Sequence, residues 1–246
     1  NIINEAWVPW YTMHKLIAGL VDVYNKTGYA PAKDVASSLG DWTYNRCSKW
    51  STQTHDRVLS IEFGGMNDCL YDLYAITNNQ KHADAAHFFD HDALFKKVVN
   101  VGANALNGRH ANTTIPKYMG ALKRYMVLGN KVSGTDQYFK YAADFWDVVT
   151  VHHTYVTGGN SEWEHFGMDD ILDKERTNCN CETCNSYNML KLSRELFKIT
   201  GDKKYMDFYE RTYYNSILSE TFKFNFLPLS TLYIGNFFSL LPYIVN

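Results

Sequence analysis

The densest group of side chains able to do chemistry lies between Thr157 and Cys184. Gly158 and Gly159 are followed by Asn160, Ser161, Glu162, Trp163, Glu164 and His165, and a short acidic loop then leads to Cys179, Cys181, Glu182 and Cys184. A glycine pair lets the backbone turn tightly and brings nearby side chains close to a ligand. Glu164 lies between Trp163 and Phe166, apolar surroundings that would raise its pKa for general-acid work. Solvated loop acids are an equally good reading of Glu162 and Glu164 taken alone. Glu182 and Cys184 open a helical stretch, where a carboxylate and a thiolate two residues apart can reach one zinc ion and the helix N-terminus favours their charge. Glu-x-Cys by itself is a weak signal. Cys179 and Cys181 would allow a local three-cysteine site, although C-x-C-x-x-C is not one of the commoner zinc spacings. The five cysteines are odd in number and three are crowded together, which argues against a disulfide framework. Cys47 and Cys69 read as ordinary buried cysteines.

The elements that must position this segment read as helices. Met13, Leu16, Ile17, Leu20, Val21 and Tyr24 follow helical spacing, as do apolar residues in 66–76, 115–128, 138–149, 189–199 and 205–218. Turns at Gly28, Asn78, Gly129 and Gly201 close successive helices, the first three 50 and 51 residues apart and the last 72 further on. Gly and Asn accept the left-handed conformation that ends a helix. A hairpin repeat of this length suits a curved solenoid or a closed helical toroid. The long polar loop from His153 to Cys181 favours the toroid, in which loops at one end build a pocket. Six hairpins would need more chain than this, so an incomplete toroid is expected.

Composition narrows the classes further. The net charge is −2 and the basic residues are scattered, so no nucleic-acid partner is expected. Aromatic residues make up 15% of the chain. They are expected mostly in the core, and against sugar rings only near polar clusters. From Phe224 to Asn246 the chain carries no Asp, Glu, Lys or Arg, but Pro228, Gly235, Asn236 and Pro242 interrupt the run, so no membrane span is expected.

Several collinear blocks carry a specific resemblance. TGGNSEWEHFG, ETCNSYNMLKL and TGDKKYMDFYERTYYNSIL, together with WVPWYTMHKLIAGL, EFGGMNDCLYDLY, HANTTIPKYMGALKRY and FWDVVTVHHTYVTGGN, resemble the β-L-arabinofuranosidase family of glycoside hydrolases. The similarity runs from about Trp7 to Leu218 and is greatest to bacterial degraders of plant arabinans. It implies an all-α (α/α)6 toroid, incomplete in this chain, and a carbohydrate substrate bearing arabinose. It also implies a zinc ion held by one Glu and three Cys, one thiolate being the nucleophile of a retaining double displacement, with a separate Glu as acid and base. By motif, Glu164 is the expected acid/base, Glu182 and Cys184 are two expected zinc ligands, and His14 and His110 are expected in the sugar pocket. His153 is a weaker candidate there, and Asn67 and Asp68 read as pocket residues or helix caps.

The departures shape the expectation as much. The family takes its nucleophile and last ligand from a Cys-Cys pair downstream, whereas this chain has no Cys after Cys184. Residues 1–218 are thus expected to form a partial catalytic domain with little or no activity, and 219–246 an aberrant, frame-shifted tail. Two other classes remain: an (α/α)6 sugar epimerase or uronide hydrolase without zinc, and a non-enzymatic helical-repeat scaffold. Neither the compartment nor the oligomeric state is legible.

Overall fold

The structure is a computed structural model that describes residues 8–61, 63–99, 104–129, 131–175 and 177–219. The tail expected at 219–246 lies outside the described residues beyond Ser219. No helix among the described residues is long and apolar enough to cross a membrane.

Eleven α-helices follow one another among these residues: α1 (Pro9–Thr27), α2 (Ala30–Cys47), α3 (Thr52–Ser60), α4 (Met66–Thr77), α5 (Gln80–His87), α6 (Asp92–Val98), α7 (Ala111–Leu128), α8 (Asp136–His152), α9 (Leu172–Glu175), α10 (Thr183–Thr200) and α11 (Lys203–Thr212). A π-helical stretch, Tyr213–Leu218, continues α11. α1 packs on α4, α4 on α7 and α7 on α10, while α2, α5, α8 and α11 each pack behind the helix that precedes their turn. Four hairpins therefore stand side by side as an arc of an α/α toroid, with α1, α4, α7 and α10 on the inside.

Local sequence explains where the helices stop. Gly28 (φ 69°), Asn78 (φ 52°) and Gly201 (φ 69°) adopt the left-handed cap that their residue types favour. Ser51, Asn79 and Asp202 accept a hydrogen bond from a backbone N–H in the first turn of α3, α5 and α11. The third expected cap differs. Gly129 stays right-handed (φ −51°), and the positive φ falls at Gly134 instead.

The aromatic residues mostly fill the core, as the composition suggests. One cluster, around Trp10, Phe63, Leu70, Leu73 and Phe89, joins the first two hairpins. A second, around Phe95, Tyr118, Phe145, Trp146 and Phe208, joins the last two, with Tyr118 and Phe145 stacked at 3.8 Å. Between α4 and α7, Gly120 leaves no room for a side chain: a Cβ there would overlap the Asn67 side chain. That amide is itself held by Asp90 Oδ1 at 3.1 Å and Lys117 O at 3.0 Å. Gly120→Ala should therefore cost about 1–3 kcal/mol of folding stability, because Asn67 cannot yield without losing both bonds. Urea unfolding of the two proteins measures it.

Candidate active site

The site is built where the loop 153–182 meets the N-termini of α7 and α10. Glu162 and His165 exchange backbone hydrogen bonds, N–H to O in both directions at 2.8 Å. Trp163 (φ 44°) and Glu164 (φ 67°) form the two-residue turn between them. Positive φ at both positions is the requirement of a type I′ hairpin, normally met by Asn-Gly. Two bulky residues there are strained, and such strain persists only where surrounding structure over-determines it. Here Glu164 O accepts from Ala111 N at 2.7 Å, Phe166 N donates to Arg109 O at 2.9 Å, and Gly108 N donates to Phe166 O at 2.8 Å. The N–H of Ala111 belongs to the first turn of α7 and has no partner within the helix. Glu164 thus satisfies a helix end while being fixed by it.

This pairing sets His110, the residue before α7, beside Glu164. Their Nε2 and Oε2 atoms are 3.1 Å apart, and His110 Nδ1 is buried without a hydrogen-bond partner. On the other side, 161–163 pairs with 179–181: Trp163 N donates to Cys179 O at 2.9 Å and Cys181 N to Ser161 O at 3.1 Å. That rung delivers the chain to Glu182 at the start of α10. Glu182 Oε2 is buried and has no hydrogen-bond partner. Burial pushes the Glu182 carboxyl above its usual range, the Cys184 thiol hydrogen-bonded to it pulls the other way, and Glu164 and His110 act on it from across the site. Desolvation, and after it the Glu182 carboxylate, pushes the Cys184 thiol up to about 12.

Glu164, His110, Glu182 and Cys184 are therefore brought together. The apolar enclosure expected around Glu164 is not formed: Trp163 is 63% exposed, while Phe166 is 2% exposed and turned into the core. The two loop acids separate clearly. The Glu162 carboxylate is occupied by Tyr155 and Thr177, and the Glu164 carboxylate is open to solvent apart from His110.

The expected pocket histidines divide. His14 on α1 lies on the neighbouring wall, where its Nδ1 accepts from Gly65 N at 3.1 Å. That donor leaves the proton of the neutral ring on Nε2. Burial, then Lys15 and Lys191, hold His14 well below the usual histidine range. His153 is not brought to the group. It is buried at the end of α8, 3.0 Å from Asp169 Oδ1 and edge-on to Phe166, and burial lowers its pKa. Asn67 is a buried core residue, whereas Asp68 keeps an unpartnered buried oxygen and is raised to about 6 by burial and then by Asp72.

Sequence reading missed the polar floor between these walls. Asn188 Nδ2 donates to Asn112 Oδ1 at 2.8 Å, and Asn112 Nδ2 lies 3.4 Å from Tyr11 OH, which links α10, α7 and α1. A signal was present in Pro116. Inside a helix proline removes the bond to the carbonyl four residues back, and Asn112 O receives Asn188 Nδ2 at 3.4 Å instead.

Among the described residues no three His, Cys, Asp or Glu side chains are grouped to hold a metal ion. Glu182 and Cys184 suit half of a tetrahedral zinc set, since the unpartnered buried oxygen and the adjacent thiol offer one hard and one soft donor. Cys181 packs against Gly159, where a Cβ would meet its Sγ at 2.7 Å, and Cys179 is exposed.

Comparison with known proteins decides the family. Residues 1–223 match the family model described as β-L-arabinofuranosidase, GH127 catalytic domain. The chain belongs to this family. Two solved structures share its fold. A GH127 β-L-arabinofuranosidase from Geobacillus stearothermophilus T6 is 18% identical with a TM-score of 0.61, over 85% of this chain and 36% of that one. A protein described as a glycoside hydrolase is 16% identical with a TM-score of 0.63, over 86% of this chain and 38% of that one. The GH127 chain described here thus spans a little over a third of the length of these structures. No curated protein matches it.

Proposed function

We propose that this GH127 chain supplies the acid/base and half of the metal site of a retaining glycoside hydrolase that cleaves β-L-arabinofuranosides of plant-type glycans. The observation that supports this best is the meeting of Glu164, His110, Glu182 and Cys184 at the N-termini of α7 and α10. Glu164 is the proton donor to the leaving oxygen and then the base toward water. Its exposed carboxylate suits both tasks, because solvent and leaving group reach it from the same side. His110 holds that carboxylate from behind through Nε2. His14 has its Nε2–H on the neighbouring wall, where it suits a sugar hydroxyl. Glu182 and Cys184 would hold zinc, which supplies thiolate character to the sulfur ligands at neutral pH.

The full-length protein should carry one zinc, and either Glu182→Ala or Cys184→Ala should weaken zinc affinity on the order of 100-fold or more. Metal analysis after dialysis against a graded chelator reads this without reference to activity. Hydrolysis of a nitrophenyl β-L-arabinofuranoside by the same samples tests the substrate class. Zinc retained by both variants would sink the metal assignment, and turnover of other furanosides alone would sink the sugar.

A further inference from the structure

The side chain at the centre of the loop is Glu162, and the chemistry proposed above makes no use of it. Its carboxylate receives three groups. Oε1 accepts from Tyr155 OH at 2.9 Å and Thr177 N at 3.1 Å, and Oε2 accepts from Thr177 Oγ1 at 2.6 Å and the same N–H at 3.1 Å. Thr177 Oγ1 in turn accepts from Cys179 N at 3.1 Å. The backbone of Glu162 closes the hairpin whose turn is Trp163–Glu164, and it lies opposite Asn180 in the rung that leads to Glu182. One residue therefore ties the strained turn that bears Glu164 to the segment that delivers Glu182 and Cys184. Every group facing its carboxylate is a donor, so an acceptor at both oxygens is what the place requires.

We propose that Glu162 is a positioning residue for the acid/base: its carboxylate clamps 177–181 against the hairpin and so holds Glu164 at the distance from the leaving oxygen that proton donation needs. This rests on the assignment of Glu164 made above. Glu162→Gln puts an NH2 group against one of the donors and loosens the clamp. The two positive-φ residues are then free to relax, and the Glu164 carboxylate moves off His110.

The test compares kcat/KM, which reports the bond-breaking step, for a nitrophenyl β-L-arabinofuranoside and for a disaccharide with a sugar leaving group, on the full-length protein. A nitrophenolate departs with little need of an acid, whereas a sugar alkoxide needs one. Glu162→Gln should lower kcat/KM for the disaccharide about 10- to 100-fold, the scale of a misplaced catalytic group, and change the nitrophenyl value by less than about 3-fold. Thr177→Val, which loses the hydroxyl link, should show the same split, and Thr177→Ser should restore the wild-type values. It also carries the test if Glu162→Gln does not fold. Equal losses on both substrates, or no loss on either, would overturn the proposal. Glu164→Gln distinguishes the two failures: absence of the split in that variant removes the parent reading, and its presence there without one in Glu162→Gln removes only the clamp.

Discussion

Glu164→Gln should reduce kcat/KM for a substrate with a sugar leaving group by about 100- to 10,000-fold, the range that a positioned general acid contributes. Glutamine keeps the length and planarity of the side chain and can still meet His110 Nε2, so the geometry of the turn survives. It has no proton to give to the leaving oxygen and cannot take one from water. The fold should be untouched: the Glu164 side chain is 57% exposed and its backbone bonds do not depend on the carboxylate. Exposed substitutions of this kind usually change stability by about 0.5 kcal/mol or less. Kinetics with two leaving groups and a thermal melt of the same sample check both halves. A variant that folds normally and turns over the disaccharide at the wild-type rate would end the acid/base assignment.

What could be read from the residues alone follows from how local each signal is. Helices announce themselves through spacing within a few turns, so the four hairpins and three of their caps were legible in Gly28, Asn78 and Gly201. At Gly129 the helix ends where the sequence places its stop, but the residue stays right-handed, because glycine permits a left-handed cap without requiring one. In the site, Glu182 and Cys184 could be paired from their spacing at a helix start, since two residues fix their relation. Glu162 and Glu164 could not be told apart, because what separates them is long-range: Thr177 lies fifteen residues beyond Glu162, and Ala111 far before Glu164. Trp163 and Phe166 looked like an apolar wall around Glu164. Backbone pairing turns one to solvent and the other to the core, and no periodicity in the loop encodes that. His153 sits in a motif-rich stretch, yet it is spent on Asp169 beneath the loop. The Tyr11–Asn112–Asn188 floor joins three helices distant in sequence, so only Pro116 hinted at it.

Asp90→Ala should cost about 3–5 kcal/mol, the penalty for removing one partner of a buried ion pair. The Asp90 side chain is fully buried between the two aromatic clusters, where it accepts from Tyr71 OH at 2.6 Å, Arg124 Nη1 at 2.6 Å and Asn67 Nδ2 at 3.1 Å. His87 Nδ1 is also near, at 3.3 Å, but the same nitrogen takes Arg124 Nη1 at 2.6 Å. A ring nitrogen that accepts from Arg124 has no proton to offer Asp90, so three donors hold the carboxylate rather than four. Removing it takes the acceptor from the Tyr71 phenol and one of two acceptors each from the Arg124 guanidinium and the Asn67 amide inside the protein. Arg124 retains its stacking on Tyr138 at 4.1 Å, which cannot replace the lost charge. Against a total stability of roughly 5–15 kcal/mol for a domain, a loss of this size is a large fraction of the whole. Asp90→Asn should cost less, since one oxygen survives for Tyr71 or Arg124. Asp84→Ala, on the exposed face of α5, should stay within about 0.5 kcal/mol of wild type and serves as the control. Urea unfolding followed by tryptophan fluorescence ranks the three variants. The consequence reaches the site, because Asp90 ties α4, whose first turn follows the Gly65 bonded to His14, to α7, whose first turn anchors Glu164. Asp90→Ala should therefore lose activity at temperatures where Asp84→Ala keeps it. An Asp90→Ala protein as stable as wild type would show that the two clusters hold together without this ion pair.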